Sequence, residues 1–344
     1  MIRLDLGPHR SPFVIAEMSG NHDGDLGTAL RIVEAAAAAG AHAIKLQTYR
    51  ADTITIDADG PAFRVTGSHD LWGGVRLYDL YERAHTPWEW HGPIFQRARE
   101  LGLVAFSSPF DPTAVDFLEE LGVPAYKVAS SEIVDLPLIA RMARTGKPLI
   151  MSTGMATLAE IDVAVRAARE AGCADIVLLG CTASYPAAVE DSNLRSLATL
   201  SGAFGLPVGL SDHTPGIGAA IAAVALGACV IEKHVTLDRD AGGVDAAFSL
   251  EPAELAALVV ESDRAWRALG TTAIGPRPSE RETLRFRRSL YVVTDVKAGE
   301  TVTPENVRSI RPAGGLPPEA IDVVVGRTFT RDVAMGTPLG WELV

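Results

Sequence analysis

The sequence predicts a (β/α)8 TIM barrel followed by a small β-rich domain. Eight short apolar runs alternate with stretches of helical pattern between residues 13 and 269. Strands that are apolar along their whole length belong to parallel sheets, which helices cover on both faces. Eight such strand–helix units match a closed barrel, in which the helices form the outer layer.

The predicted strands are short and rich in β-branched residues. They are 13–16, 43–46, 104–106, 125–128, 148–151, 175–179, 208–210 and 229–231. The predicted helices are 26–39, 88–101, 112–121, 136–145, 157–171, 193–202, 216–227 and 252–269. A doubly wound sheet is the alternative, but its dinucleotide-binding form needs a GxGxxG motif after the first strand. That position reads MSGNHDG, which favours the barrel.

Two segments depart from the strand–helix repeat. Residues 49–87 form a long connection after the second strand and contain the sequences DLWGG and LYDLY. Long βα loops lie over the catalytic face of a barrel, so we expect this insertion to cover substrate, although an insertion without function is the alternative. After Leu269, linker residues dominate 270–284. The predicted domains are therefore the barrel over 1–269 and a second domain over 285–344, too small to be stable without packing on the barrel or a partner.

The composition argues against several classes of protein. The 344 residues carry 31 basic and 43 acidic side chains, a net charge of -12, whereas nucleic-acid-binding proteins usually present a basic face. Residues 1–5 lack the features of a signal peptide, and no apolar run approaches the length of a membrane span. The three cysteines form no CxxC pair. We therefore expect a cytoplasmic protein without nucleic-acid or membrane partners.

Polar residues follow nearly every predicted strand, where a barrel places its catalytic groups. They include Glu17, Asn21, Lys45, Gln47, Ser108, Lys127, Ser130, Ser152, Tyr185, Ser211, His213 and His234. Any single one can instead cap a helix or face solvent, as Ser130, Thr157 and Asp111 could.

Lysines within apolar strands are costly unless they are paired or used. Lys45, Lys127 and Lys233 each lie in such a run, so we expect three ammonium groups at the barrel mouth and an anionic ligand. Hydroxyl groups and glycine-rich backbone at neighbouring strand ends complete a phosphate or carboxylate site. His213 and His234 follow adjacent strands and could bind one divalent metal ion together.

These ordered motifs resemble the sialic acid synthase family, whose members condense phosphoenolpyruvate with an acylated amino sugar. The matching segments are AEMSGNH at 16–22, KLQTY at 45–49, SSPFD at 107–111, YKVAS at 126–130, STGM at 152–155, GLSDHT at 209–214 and EKHVTL at 232–237. The tail resembles the antifreeze-like (SAF) domain of the same family, with RSLY at 288–291 and IRP at 310–312.

Within the family, the sequence resembles pseudaminic acid synthases, which act on 2,4-diacetamido-2,4,6-trideoxy-L-altrose. The segments LYDLY at 77–81, TPWEW at 86–90, GGVD at 242–245 and FSLEP at 248–252 carry this resemblance. Ala246 stands where neuraminate synthases usually have histidine. Asp23, Ser131, Gly180 and Ala183 depart from the family pattern.

The resemblance implies a role for each group. Lys45, Lys127, Ser130, Ser152 and Ser211 would bind phosphoenolpyruvate, and His213 and His234 would bind Mn²⁺, Mg²⁺ or Co²⁺. Glu17 would orient the sugar or carry a proton, while Asn21, Gln47, Ser108, Tyr185 and Asp245 would contact the substrates. Arg311 would reach an N-acyl group from the tail, which in the family covers the partner's site in a domain-swapped homodimer.

Other functions stay open at this point. An N-acetylneuraminate or legionaminate synthase, or a relative acting on another amino sugar in specialised metabolism, would share the same motifs. A Schiff-base aldolase would use Lys127 or Lys45 as its nucleophile. A non-catalytic sugar-binding protein would keep the fold but lose lysines or histidines that this sequence retains.

Overall fold

Eight parallel strands close into a barrel in chain order, because each strand pairs with its sequence neighbours and the first also pairs with the eighth. The computed structural model describes residues 6, 7, 9–65 and 72–344. The strands are β1 Phe13–Glu17, β2 Ala43–Thr48, β3 Val104–Pro109, β4 Tyr126–Val128, β5 Leu149–Ser152, β6 Ile176–Cys181, β7 Val208–Asp212 and β8 Val230–His234. This architecture confirms the predicted barrel.

Helices follow the strands, and most of them cover the outside of the barrel. They are α1 Leu26–Ala38, α2 Ala51–Ile54, α3 Leu77–Ala84, α4 Trp88–Glu100, α5 Pro112–Glu120, α6 Leu136–Ala143, α7 Leu158–Glu170, α8 Ser196–Phe204, α9 Gly218–Ala225 and α10 Pro252–Leu269. Asp111 caps α5 and Thr157 caps α7 through their side chains, which satisfies backbone N–H groups that have no partner within the helix. Within the described part of the chain, no helix is long and apolar enough to cross a membrane.

The core packs the strands against the inner faces of these helices. β5 is buried along its whole length, and α7 buries Ile161, Ala164, Val165 and Ala168 at helical spacing against the barrel. At Gly209 in β7, an added Cβ would lie 2.3 Å from the backbone oxygen of Val230, so only glycine allows β7 and β8 to approach this closely.

The insertion after β2 contains α2 and α3. The backbone N–H of Val65 donates to the carbonyl of Val75, and Arg64 pairs with Arg76 in an isolated antiparallel bridge. Asp70 and Leu71, part of the sequence predicted to cover substrate, lie outside the described residues. Backbone pairing therefore joins the described residues on the two sides of this gap.

The chain divides after Gly270 into two compact units. The second unit contains an antiparallel pair, β9 Ser289–Val292 with β10 Val307–Ile310, and the short helix α11 Ile321–Val324. Its own apolar core includes Leu290, Val302 and Phe329. The predicted β-rich character of the tail is confirmed.

Candidate active site

Four buried charged groups meet where the strands of the barrel end. Lys45 Nζ of β2 lies 2.6 Å from Glu17 Oε2 of β1 and 3.6 Å from Glu232 Oε1 of β8. Lys127 Nζ of β4 lies 3.9 Å from the same Glu232 oxygen. Two cations and two carboxylates balance, which is what permits all four to be buried.

The two lysines differ in their electrostatic environment. Burial by itself lowers the pKa of Lys45, but the carboxylates of Glu17 and Glu232 outweigh burial and raise that pKa above its usual value. Burial also lowers the pKa of Lys127, and here the more distant Glu232 does not compensate fully. Lys45 is therefore held as a permanent cation, whereas the charge of Lys127 depends more on what binds beside it.

Glu232 is a site residue that the sequence prediction did not include. Burial tends to raise its pKa, but Lys127 and Lys45 outweigh burial and keep the carboxylate ionised. The sequence did contain a signal for this residue, because Glu232 interrupts an apolar strand in the same way as the lysines.

Serine hydroxyls surround the two lysines. Lys127 Nζ donates to Ser152 Oγ at 2.6 Å, and Lys45 Nζ donates to Ser108 Oγ at 3.4 Å. Ser211 Oγ donates to Glu232 Oε1 at 3.2 Å. The structure thus brings three predicted hydroxyls together with both lysines, as a site for a phosphate or carboxylate requires.

Ser130 does not cap a helix with its side chain. Its Oγ accepts a 3.2 Å hydrogen bond from the backbone N–H of Gly154, and an added Cβ at Gly154 would lie 2.7 Å from that oxygen. The glycine therefore lets the backbone after β5 approach the serine closely, next to the Ser152 hydroxyl.

Lys233 does not join this cluster, and the expectation of three lysines at the mouth is wrong. Its Nζ lies 2.8 Å from Asp212 Oδ2 and also donates to the carbonyl of Thr214. Successive side chains of a strand point to opposite faces, so Lys233 faces away from Glu232 and His234. Lys233 and Asp212 therefore form a buried ion pair that supports the structure.

His213 and His234 lie side by side with ring centroids 5.2 Å apart. His213 Nδ1 lies 2.9 Å from the carbonyl oxygen of Thr182, and His234 Nδ1 lies 3.5 Å from Asp245 Oδ2. Phe248 packs edge-on against both rings. A carbonyl oxygen orients Nδ1 of His213, and Nδ1 of His234 lies near a carboxylate without a hydrogen bond, so Nε2 is the nitrogen of each ring that can bind a ligand.

This donor set fits a divalent metal ion only in part. An imidazole hydrogen-bonded to a carbonyl, as in His213, is typical of metal-binding histidines, and His234 has a carboxylate 3.5 Å from its Nδ1. Among the described residues, no group of three or more His, Cys, Asp or Glu side chains is arranged to hold a metal. Water or substrate oxygens would therefore have to supply the remaining ligands.

Asn21 organises the loop that carries Asp245. Its Nδ2 donates to the Val235 carbonyl and to Ser249 Oγ, both at 2.8 Å, and its Oδ1 accepts from the Asp245 backbone N–H at 3.1 Å. Ser249 Oγ in turn donates to the carbonyl of Asp245 at 2.7 Å. Both the nitrogen and the oxygen of the Asn21 amide form hydrogen bonds within the protein. Its predicted contact with substrate therefore stays a prediction.

A cavity of about 350 Å³ opens beside His234. Its polar lining includes Ser19, Gln47, Tyr185, His234 and Asp245. Gln47 Nε2 donates to Glu17 Oε1 at 3.0 Å and to Ser19 Oγ at 3.1 Å, which connects the cavity to the charged cluster. The opposite lining comes from the insertion after β2, including Trp72 and α3.

Glu132 is a second residue that the prediction did not assign to the site. Burial raises its pKa from 4.5 to about 7, and the charge of Lys127 opposes this only in part. Burial and the Glu132 carboxylate both raise the pKa of Tyr81, which lines the cavity. A carboxyl group with a pKa of about 7, next in the chain to the cavity-lining Ser131, is suited to proton transfer.

Arg311 lies in the second unit and is exposed. With Arg287 and Arg288 it lines a cavity of about 700 Å³, and Ile274 and Phe286 line the same cavity. This surface combines three guanidinium groups with exposed apolar side chains.

The fold and the site together are those of a barrel enzyme, with a buried charged cluster and a pair of histidines at the ends of its strands. A model of the NeuB family matches residues 32–273, and a model of the SAF domain matches residues 287–344. The chain therefore belongs to the NeuB family of synthases and ends in an SAF domain.

Individual relatives agree with this assignment. The chain is 42% identical to the pseudaminic acid synthase of Campylobacter jejuni subsp. jejuni serotype O:2, over 95% of both proteins. It is 36% identical to the N,N'-diacetyllegionaminic acid synthase of the same strain, over 94% of this chain and 97% of that protein. The crystal structure of N-acetylneuraminic acid synthetase from Leptospira borgpetersenii shares 34% identity with a TM-score of 0.72, covering 83% of this chain and 94% of that one. The predicted family and its pseudaminic branch are confirmed.

Proposed function

We propose that this protein is a pseudaminic acid synthase, a transferase that forms a carbon–carbon bond. It condenses phosphoenolpyruvate with 2,4-diacetamido-2,4,6-trideoxy-L-altrose and releases phosphate and a nine-carbon ulosonic acid. The observation that carries the proposal is one barrel mouth in which Lys45, Lys127 and three serine hydroxyls adjoin two oriented histidines. The 42% identity to a named pseudaminic acid synthase supports the choice of sugar.

Phosphoenolpyruvate has two anionic groups, and the site offers two ammonium groups. Lys127 with Ser152 would receive one group, and Lys45 with Ser108 would receive the other. Binding of an anion beside Lys127 raises the pKa that burial has lowered, so the substrate itself would fix this lysine in its charged form. Ser130 and the N–H of Gly154 extend the same cradle.

The histidines would hold a divalent cation, Mn²⁺, Mg²⁺ or Co²⁺, through Nε2. When bound, the cation supplies Lewis-acid polarisation of the sugar aldehyde. The Thr182 carbonyl would keep the His213 ring in orientation, Asp245 lies 3.5 Å from His234 Nδ1, and Phe248 packs against both rings. Gln47, Tyr185 and Asp245 would then place the sugar so that its aldehyde carbon faces the phosphoenolpyruvate methylene.

The protons of the reaction balance around one water molecule. The methylene carbon attacks the aldehyde carbon, water adds to C2 of the former phosphoenolpyruvate, and the C2–O bond to phosphate breaks. One proton of the water ends on the new sugar hydroxyl and the other on phosphate. Glu132, which titrates near pH 7, is suited to carry a proton, and Glu17 lies within 3.0 Å of the Gln47 amide that would orient the sugar.

A second copy of the chain would complete the site. The SAF unit presents Arg311 beside the exposed side chains of Ile274 and Phe286, a combination that suits burial against another subunit and contact with a substrate acyl group. We therefore propose a domain-swapped homodimer in which Arg311 serves the partner's barrel. The cytoplasmic location expected from the sequence stays a prediction.

A phosphate-release assay with a panel of N-acylated hexoses tests the proposal. Phosphoenolpyruvate with the diacetamido-trideoxy-altrose should release phosphate, and N-acetylmannosamine should react far more slowly. Turnover of N-acetylmannosamine alone would assign the protein to neuraminate synthesis. Borohydride trapping of the enzyme with a carbonyl substrate should leave Lys127 and Lys45 unmodified; a trapped adduct would instead favour the Schiff-base aldolase.

A further inference from the structure

One face of α3 forms an apolar wall of the active-site cavity. Leu77, Leu80, Tyr81 and Ala84 all line it, and they are spaced i, i+3, i+4 and i+7 along the helix. Residues at this spacing lie on one side of a helix. The intervening Glu82 is exposed, so the helix turns its charged side to solvent and its apolar side to the ligand. We call the four lining residues the α3 wall.

Contacts with neighbouring segments hold the α3 wall in place. Arg76 donates to both carboxylate oxygens of Asp79 and, at 2.6 Å, to Asp57. Tyr81 packs edge-on against Tyr49 with ring centroids 5.7 Å apart. The wall is therefore supported from its own segment and from the residue that follows β2.

The two sides of the cavity differ in chemistry. The strand-end side offers Gln47, Asp245 and the His234 ring, whereas the α3 wall offers a single polar atom, the hydroxyl of Tyr81. A sugar whose reacting carbon lies at the histidines must place its far end against residues from the insertion. A hydroxyl group that contacts Leu77 or Leu80 would lose its water hydrogen bonds without gaining a partner on these side chains, but a methyl group would gain burial.

We propose that Leu77 and Leu80 determine specificity for a sugar with a methyl group at C6, where common hexosamines carry a hydroxymethyl group. The inference rests on the proposed function and names the feature of the sugar that the insertion recognises. Apolar pockets discriminate against an added hydroxyl only modestly, by up to about 100-fold. The wild-type enzyme should therefore prefer the 6-deoxy sugar by about 10-fold to 100-fold in kcat/KM.

The test compares the 6-deoxy sugar with the 6-hydroxy sugar in two series. One series is the diacetamido sugars, and the other is N-acetylmannosamine and its 6-deoxy derivative. Leu77→Asn preserves size and adds a polar amide at a partly exposed position. We expect its preference for the 6-deoxy sugar to fall at least 10-fold, while KM for phosphoenolpyruvate stays unchanged. Leu77→Met should retain the preference, and Glu82→Gln on the exposed side of α3 is the matched control. Leu80 is 8% exposed, so Leu80→Asn is the more disruptive second variant.

The outcomes distinguish a failure of the specificity proposal from a failure of the proposed function. If the wild type accepts N-acetylmannosamine but no diacetamido sugar, the proposed function fails, and the 6-deoxy ratio in that series still tests the wall. If the wild type shows no 6-deoxy preference in the series it accepts, or Leu77→Asn leaves the ratio within twofold of wild type, the inference is overturned.

Discussion

Replacing Glu232 by Gln tests the charge balance of the site. The substitution keeps the shape and the hydrogen bond from Ser211 but removes one of two buried carboxylates. Lys45 keeps Glu17 at 2.6 Å, whereas Lys127 loses the carboxylate 3.9 Å away and is left as an unbalanced buried cation. Breaking a buried pair in this way costs about 3–5 kcal/mol.

The loss of stability in Glu232→Gln should appear as a lower Tm, and added phosphate should partly reverse it. A destabilisation of about 3–5 kcal/mol corresponds to a fall in Tm of about 5–9 °C, because a barrel that ends at Gly270 gains about 0.6 kcal/mol/K of entropy on unfolding. A phosphate ion beside Lys127 supplies the missing negative charge, and saturation at 100 times Kd returns about 2.7 kcal/mol. The phosphate-dependent rise in Tm should therefore be larger in Glu232→Gln than in the wild type.

The assay is a Tm series with and without inorganic phosphate at constant ionic strength. Glu34→Gln is the matched control, because it removes a carboxylate from the half-exposed pair with Arg97, where about 0–1 kcal/mol is expected. A Tm change for Glu232→Gln no larger than for Glu34→Gln would refute the reasoning. So would an equal phosphate effect in variant and wild type.

Three further predictions follow from the same geometry. Asn21→Leu should release the Asp245 loop and raise KM for the sugar at least 10-fold with little change in KM for phosphoenolpyruvate, as steady-state kinetics would show. His213→Ala and His234→Ala should each lower phosphate release at least 100-fold and abolish Mn²⁺ binding in calorimetry. Because burial raises the pKa of Glu132 from 4.5 to about 7, the folded protein loses stability as pH rises through that window. Glu132→Gln should remove this component from Tm measured against pH; an unchanged profile would contradict the assignment.

The order of elements could be predicted because local patterns encode it. Apolar runs separated by helical stretches identified all eight barrel strands, although several extend two or three residues further than predicted. Most of those extra residues are polar, as at β3, where Ser107 and Ser108 precede Pro109 at the end of the strand. Polar residues at the carboxyl end of a strand resemble a loop in the sequence, yet in a barrel they continue the strand, and alternate ones face the site.

The charged cluster could be predicted only in part. Lys45 and Lys127 were recognised because a lysine in an apolar strand needs a partner, but the same argument applied to Lys233 and failed there. Its neighbour Glu232 faces Lys127 and Lys45, so the sequence places both residues at the mouth without indicating which one points inward. Strand register decides this, and register depends on pairing between strands distant in the chain.

The sequence by itself determined the barrel, the tail and the residue types available at the strand ends, because these follow from local periodicity and composition. Only the tertiary structure decided which groups act together. The closure of the barrel brings Glu17 and Glu232, far apart in the chain, around Lys45. The packing of the insertion turns one side of α3 into the wall of the cavity. Both depend on long-range contacts, whose partners no local pattern specifies.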